Sequence, residues 1–174
     1  MAKQERIIFL VDDDNMQLQM IKDYLDERFE MKLYEYTTGE EAIANMHLNP
    51  EIVILDYHLM SVNKSAENGV EILKKMKEIC PTTNVIMLSG QDKIAVAVEC
   101  MKNGAYDYVV KSESAFMRIE NIFNNIGEHM KTMHLLKIYK LGFKVLIASI
   151  ILIIIAAVIA VEMGWATAHM GGFD

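Results

Sequence analysis

The stretch that most constrains the fold is a short apolar run, residues 52–55, which ends in one carboxylate, Asp56. Four consecutive branched or long apolar residues with no period of two predict a strand that is buried on both faces. In open α/β sheets, ligands bind beyond the carboxyl ends of parallel strands. Asp56 is therefore a candidate functional residue, although a lone acid at a strand end more often only begins a turn.

Four other apolar runs of strand length alternate with segments of helical periodicity. The expected strands are residues 7–11, 31–36, 52–56, 85–88 and 106–110. Helices are expected at residues 15–29, 38–48, 69–80, 92–102 and 112–128. Strict alternation of this kind predicts an α/β fold, a doubly wound (βα)5 parallel sheet of flavodoxin-like type with five strands. A long C-terminal helix is expected to follow it.

Polar side chains follow four of the five predicted strands. They are Asp12 and Asp13 after the first strand, Asp56 after the third, Ser89 after the fourth and Lys111 after the fifth. Three carboxylates within about 6 Å repel by roughly 3 kcal/mol per pair at an effective dielectric near 20, so cations must offset them. Lys111 supplies one charge, and Mg²⁺ with oxygen ligands suits the rest. A hydroxyl and an ammonium group beside the metal would hold a phosphoryl group, with Asp56 as its acceptor.

These residues stand in motifs that resemble the receiver domain of two-component response regulators across residues 4–128. The motifs are Val11-Asp12-Asp13, Leu55-Asp56, Leu88-Ser89-Gly90 and Tyr108-Val109-Val110-Lys111. The resemblance implies that Asp56 is the phosphoacceptor, phosphorylated by a sensor histidine kinase or a histidine phosphotransfer protein. It also implies roles for the remaining residues: Asp13 and the His58 carbonyl as Mg²⁺ ligands, Asp12 as a ligand through water, Ser89 and Tyr108 as the switch pair, and Lys111 as the phosphate-binding ammonium.

The chain departs from the family pattern near the site. Met60 stands where the family usually has proline, Ser112 replaces the proline after Lys111, and residues 61–68 enlarge the loop after Asp56. None of these changes removes a group that phosphorylation requires. The residues two places after the phosphoacceptor and after the hydroxyl, His58 and Gln91, are bulky, and we expect a phosphoryl lifetime of minutes or more.

Charge and cysteine content exclude other classes of protein. Residues 1–128 carry 13 basic and 22 acidic side chains, a net charge of −9, so binding to nucleic-acid phosphates through a general field is not expected. The two cysteines, Cys80 and Cys100, lie in no metal-binding spacing and are expected to be free thiols. The polar N-terminus has no features of a signal peptide.

The segment from residue 145 to residue 161 predicts a transmembrane helix. Its 17 residues carry no charge and include seven Ile, three Val and two Leu, which favour insertion by roughly 4–7 kcal/mol. Four lysines precede it, at positions 131, 137, 140 and 144, and Trp165 follows it. The positive-inside rule then places the receiver in the cytoplasm, at a bacterial inner membrane. The expected divisions are a receiver (1–128), a basic juxtamembrane helix (129–141), a transmembrane helix (142–163) and a short non-cytoplasmic tail (164–174).

Alternatives remain at this stage. The apolar segment could be the buried helix of a soluble assembly, and the chain could be a receiver-fold scaffold at the membrane that is never phosphorylated. A haloacid dehalogenase-type phosphatase is disfavoured because His58 stands where that class has a second acid. We expect a signalling phosphoacceptor rather than an enzyme, with output through protein partners or a homodimer formed by the fourth helix, fifth strand and fifth helix.

Overall fold

The computed structural model of the protein describes residues 6–59 and 69–170, of which 129–138, 141, 160 and 162–170 are described by backbone alone. Strands and helices alternate along the described chain: β1 (Ile7–Val11), α1 (Asn15–Asp26), β2 (Lys32–Tyr36), α2 (Gly39–Ala44), a 3-10 turn (Met46–Leu48), β3 (Ile52–Asp56), α3 (Gly69–Ile79), β4 (Asn84–Ser89), α4 (Ile94–Lys102), β5 (Asp107–Val110) and α5 (Ala115–Met170). Met60, the enlarged loop 61–68 and the end of the predicted tail, 171–174, lie outside the described residues.

The strands form one parallel sheet in the order β2-β1-β3-β4-β5. This order confirms the doubly wound, flavodoxin-like fold. The strand order reverses between β1 and β3, and in such sheets the crevice at the reversal point receives ligands. The carboxyl ends of β1 and β3 are therefore where a site is expected.

Burial explains why β3 reads as a continuous apolar run. All five of its residues are buried, and β1 and β4 pair with it on its two sides. On one face of the sheet, Phe9, Val53 and Leu55 belong to the same core cluster as Leu73 and Met76 of α3. Fully burying a side chain of this size contributes about 1.5–3 kcal/mol, so the central strands have little freedom to shift.

Local signals set most of the helix boundaries. Asp14 caps α1 by accepting hydrogen bonds from the backbone N–H groups of Met16 and Gln17. Thr38 caps α2 in the same way through Glu41 N–H. Gly104, which follows the end of α4, has φ of 92°, the left-handed conformation in which many helices end.

Three expected helix boundaries were wrong. Helix α1 ends at Asp26 rather than near residue 29, and α2 gives way to a 3-10 turn before residue 48. Helix α5 begins at Ala115, so Ser112 lies in the preceding turn, where its carbonyl accepts a hydrogen bond from Ala115 N–H. The error at α5 has a simple cause, because Ser112 and Ser114 are equally good candidates for the N-cap.

The chain divides into two compact units, Met1–Phe123 and Asn124–Asp174. The second unit contains a helix long and apolar enough to cross a membrane, judged by length and composition. Its 18-residue window, Gly142–Ile159, has a mean hydropathy of 2.8, and none of it is buried. Exposed Ile, Leu and Val side chains therefore cover this window.

Candidate functional site

Three carboxylates meet at the carboxyl ends of β1 and β3. Side-chain oxygens of Asp12, Asp13 and Asp56 all lie within 4.8 Å of one another. Asp12 and Asp56 are buried, with 2% and 4% of their surface exposed, whereas Asp13 is exposed. The cluster therefore has a closed side within the sheet and an open side toward solvent.

The strand ends hold the two buried acids in place. Asp12 N–H donates to the Tyr36 carbonyl at 3.2 Å, which extends the ladder between β1 and β2 by one residue. Asp12 Oδ1 accepts a hydrogen bond from Asp14 N–H at 2.9 Å. Asp56 ends β3, and the next N–H, that of Tyr57, donates to the Leu88 carbonyl at 2.8 Å.

Lys111 bridges the two buried acids. Its Nζ lies 2.8 Å from Asp12 Oδ2 and 3.1 Å from Asp56 Oδ1. Burial lowers the pKa of Lys111, but the hydrogen bond and charge of Asp12, together with the charge of Asp56, raise it overall above its usual range. The ammonium group therefore stays charged and offsets part of the repulsion within the cluster.

One carboxylate oxygen of Asp56 can still accept a hydrogen bond or bind a cation. Within the described part of the chain, no donor has hydrogen-bond geometry toward Asp56 Oδ1, although Lys111 forms an ion pair with it. Burial raises the pKa of Asp56, and the Lys111 charge opposes that shift. Lys111 is one positive charge beside the two buried carboxylates of Asp12 and Asp56, so a further cation at this point would be stabilising.

The donor set fits Mg²⁺. Carboxylate oxygens and a backbone carbonyl are the hard ligands that this ion takes, and the exposed side at Asp13 leaves room for its waters. Both Asp12 oxygens already have protein partners, Lys111 and the Asp14 N–H. Each Asp12 oxygen therefore has one of its two acceptor positions already in use.

Ser89 and Tyr108 meet through one residue, Gln91. Ser89 is fully buried, and its Oγ accepts a hydrogen bond from Gln91 N–H at 3.1 Å. The Tyr108 hydroxyl donates to the Gln91 carbonyl at 2.6 Å, and the ring is 8% exposed. The turn after β4 is thus tied both to the strand end and to β5.

The structure brings together most of the predicted site residues. Lys111 contacts Asp12 and Asp56 directly, and Asp13 has an oxygen within 4.8 Å of both acids. Lys111 backbone N–H also donates to the Ser89 carbonyl at 2.7 Å. The His58 side chain is exposed and packs edge-on against Tyr57. The sequence predicted a role for the Gln91 side chain in the phosphoryl lifetime. It did not predict that the Gln91 backbone links Ser89 to Tyr108, because every residue except proline has the same backbone N–H and carbonyl groups.

Lys111→Ala should destabilise the metal-free protein while preserving Mg²⁺ binding. Breaking a buried ion pair leaves uncompensated charge, and we expect the free energy of unfolding of the first unit to fall by about 3 kcal/mol. Calorimetric melting and Mg²⁺ titration of the full chain in detergent measure both quantities. The matched control is Lys22→Ala, because Lys22 pairs with Glu35 at 2.6 Å on the surface, where about 0–1 kcal/mol is expected. Loss of Mg²⁺ binding in Lys111→Ala, or equal destabilisation by both variants, would contradict this account.

The family model for the response regulator receiver domain matches residues 8–122. The chemotaxis protein CheY of Thermotoga maritima is 30% identical over 105 residues, which cover 60% of this chain and 83% of CheY. The regulatory protein RegA of Rhodobacter capsulatus is 30% identical over 112 residues, covering 64% of this chain and 58% of RegA. Part of the length of both CheY and RegA therefore has no matched counterpart in this chain.

Solved structures agree with the fold. The CheY-like receiver domain from Methanospirillum hungatei superposes with a TM-score of 0.63 at 24% identity, covering 74% of this chain and 99% of that one. The response regulator domain of Thermotoga maritima CheB superposes with a TM-score of 0.59 at 25% identity, covering 74% and 98%. Both matches leave about a quarter of this chain without a counterpart.

Proposed function

We propose that this chain, which belongs to the response regulator receiver domain family, is a membrane-tethered signalling protein that accepts a phosphoryl group on Asp56. One observation carries the proposal: the buried carboxylate of Asp56, at the carboxyl end of β3, has oxygens of Asp12 and Asp13 within 4.8 Å and the Lys111 ammonium at 3.1 Å. Receiver domains are in general phosphoacceptors that act with histidine kinases and phosphotransfer proteins. The specific donor is here a sensor histidine kinase or a histidine phosphotransfer protein.

The chemistry requires an ionised Asp56. One carboxylate oxygen of Asp56 attacks phosphorus, and a P–O bond forms as the bond from phosphorus to the donor's leaving nitrogen breaks. The nitrogen keeps the electron pair of that bond. Lys111, already 3.1 Å from Asp56, then exchanges its contact with the carboxylate for one with a phosphoryl oxygen. The Ser89 hydroxyl releases Gln91 N–H and turns to a second phosphoryl oxygen.

Asp13, Asp56 and the His58 carbonyl would hold Mg²⁺ directly, and Asp12 would hold it through water. The bound ion supplies charge neutralisation between the incoming phosphoryl oxygens and the carboxylates. The protein's own contribution is to keep the acids within 4.8 Å of one another and Asp56 shielded from water.

Ser89, Gln91 and Tyr108 are the switch in this proposal. Movement of the Ser89 hydroxyl toward the phosphoryl group removes one of the two hydrogen bonds that hold the turn at Gln91. The remaining bond to Tyr108 then determines the position of that turn, and with it the start of α4. Phosphorylation at the sheet edge is thereby transmitted to a surface helix.

Tyr108→Phe should separate phosphorylation from its response. The variant removes only the hydroxyl that donates to the Gln91 carbonyl, and such a bond contributes about 0.5–1.5 kcal/mol. We expect unchanged phosphate incorporation, together with loss of the phosphorylation-dependent change in hydrogen exchange at Gln91 and in α4. Tyr106→Phe is the control, because Tyr106 is exposed and two residues away. An unaltered hydrogen-exchange response in Tyr108→Phe would show that the Tyr108 hydroxyl is not part of the switch.

The apolar surface of α4 is the proposed output surface. Ile94 is 81% exposed, and Val98 and Met101 are nearly half exposed. A partner protein or a second copy of the chain would cover these side chains. Arg118 of α5 pairs with Asp107 at 2.9 Å and gives the same side of the molecule a polar rim. This is the α4-β5-α5 surface expected to form a homodimer.

The apolar window in α5 supports the tether. Its 18 residues fall within the range of about 17–25 that a transmembrane helix needs, and the exposed Lys140 and Lys144 stand just before and near its N-terminal end. Under the positive-inside rule these lysines support the proposed orientation, with the receiver in the cytoplasm at the inner membrane of a bacterium. Confinement to the bilayer raises the effective concentration of the receiver for partners in the same membrane.

Binding of beryllofluoride tests the proposed acceptor without turnover. This phosphoryl analogue needs both an open carboxylate oxygen and a divalent cation beside it. We expect one bound equivalent per full-length chain in Mg²⁺, seen by fluorine NMR, and none after chelation of the metal. Absence of binding in Mg²⁺ would count against Asp56 as a phosphoacceptor.

A further inference from the structure

Helix α3 begins unusually close to the backbone of the acceptor residue. Gly69, its first residue, is buried, and its N–H donates to the Tyr57 carbonyl at 3.1 Å. A Cβ atom at this position would lie 2.7 Å from the Asp56 carbonyl oxygen and 2.8 Å from Tyr57 Cα. Contacts this short to backbone atoms cannot be relieved by turning a side chain.

The lack of space for a side chain, rather than an unusual backbone conformation, explains why residue 69 is glycine. Among the described glycines, only Gly104 has a positive φ, so the dihedral angles of Gly69 are open to other residues. Any side chain at position 69 would therefore have to displace either α3 or the peptide between Asp56 and Tyr57.

The peptide between Asp56 and Tyr57 is the part that would yield. Helix α3 is anchored by four side chains that are at most 1% exposed: Val70, Ile72, Leu73 and Met76. Strand β3 is paired on both sides only as far as Leu55, which lies opposite Val11. Asp56 itself pairs with β4 alone, so the end of the strand is held on one side.

We propose that Gly69 is a positioning residue for phosphoryl transfer, because its lack of a side chain allows α3 to close against the backbone at Asp56. The contact fixes the direction of the Asp56 carboxylate and the start of the turn that carries the His58 carbonyl. The inference rests on the proposed function of Asp56. The further requirement is that the first residue of α3, which follows the enlarged loop in the sequence, lacks a Cβ atom.

Gly69→Ala, made in the full chain and kept in detergent, tests this role. Misplacement of a reacting group by 1 Å can cost about 100-fold in rate. We expect the rate of labelling by acetyl phosphate to fall at least about tenfold, and Mg²⁺ affinity measured by calorimetric titration to fall with it. The melting temperature is recorded in parallel, because a merely structural role would change that value alone.

Two other glycines provide matched controls. A Cβ at Gly39 would lie 2.6 Å from Ile72 side-chain atoms, an overlap inside the core that a shift of that side chain can relieve and that lies away from the acids. Gly39→Ala should lower the melting temperature and leave labelling and Mg²⁺ affinity unchanged. A Cβ at Gly90, next to Ser89, would meet nothing within 4 Å, and Gly90→Ala should change none of the three quantities.

The outcomes separate the two proposals. Wild type that acetyl phosphate does not label would overturn the proposed function, whereas labelled wild type with equally labelled Gly69→Ala would overturn only the role of Gly69. Equal losses of labelling in Gly69→Ala and Gly39→Ala would also overturn it. Should Gly69→Ala fail to fold, it and wild type are both labelled in trimethylamine N-oxide, an osmolyte that favours the folded state. Gly69→Ala must then label more slowly than wild type under the same conditions, and equal rates would refute the positioning role.

Discussion

Asp56→Asn should abolish the incorporation of phosphate from acetyl phosphate and Mg²⁺, from about one phosphate per chain to none. The substitution keeps the size of the side chain but removes the anionic oxygen that attacks phosphorus. Within the acid cluster, Asp12 has both oxygens engaged, by Lys111 and by the Asp14 N–H, and Asp13 lies on the exposed side. Intact-protein mass spectrometry counts the phosphates directly.

Asp14→Asn is the matched control for charge. Asp14 lies two residues from Asp12 and is exposed, and asparagine caps a helix about as well as aspartate does. This variant removes the same charge from the same edge of the sheet, and we expect it to label like wild type. Undiminished labelling of Asp56→Asn, or an equal loss of labelling in both variants, would contradict the assignment of Asp56 as the phosphoacceptor.

Deletion of residues 142–174 should convert the protein from a membrane-bound to a soluble form. The deleted segment contains the whole apolar window, of mean hydropathy 2.8, none of which is buried. An insertion free energy of about 4 kcal/mol, the lower limit from its composition, corresponds to about 1,000-fold in partitioning. Ultracentrifugation of cell lysates, followed by immunoblotting of pellet and supernatant, measures the shift.

Deletion of residues 164–174 is the control for this truncation. It shortens the same end of the chain without entering the window Gly142–Ile159, and the protein should stay in the membrane fraction. The longer truncation should still accept phosphate, because the acids and Lys111 lie in the unit Met1–Phe123. A soluble fraction that is aggregated, or a truncated form that remains with the membrane, would show that the helix is part of a buried core.

The sheet and its carboxyl edge could be predicted because each depends on a strong local pattern. The apolar run of β3 could be recognised without a partner, since burial on both faces leaves no polar residue in it. The acids and Lys111 follow strand ends, and parallel strands bring such ends together whatever the helices between them do. Asp12, Asp56 and Lys111 were therefore expected to meet before any distance was known.

Features that depend on backbone contacts could not be predicted in this way. The link from Ser89 to Tyr108 passes through the N–H and carbonyl groups of Gln91, which every residue but proline offers. Position 69 requires glycine because the Asp56 carbonyl lies too close for a Cβ atom. From the sequence alone, a glycine at the start of a helix indicates only a residue with few conformational restrictions. The start of α5 was placed at Ser112 because neighbouring residues offer equivalent caps.

The most direct test of the account locates the phosphate in the membrane-embedded full chain. Isolated membranes containing the protein are treated with acetyl phosphate and Mg²⁺, and borohydride then reduces any aspartyl phosphate before peptide mass spectrometry. The account predicts one reduced residue, at position 56, in protein that remains in the membrane fraction. Reduction at Asp12 or Asp13, or no reduced aspartate in protein shown to be folded and bound to Mg²⁺, would contradict it.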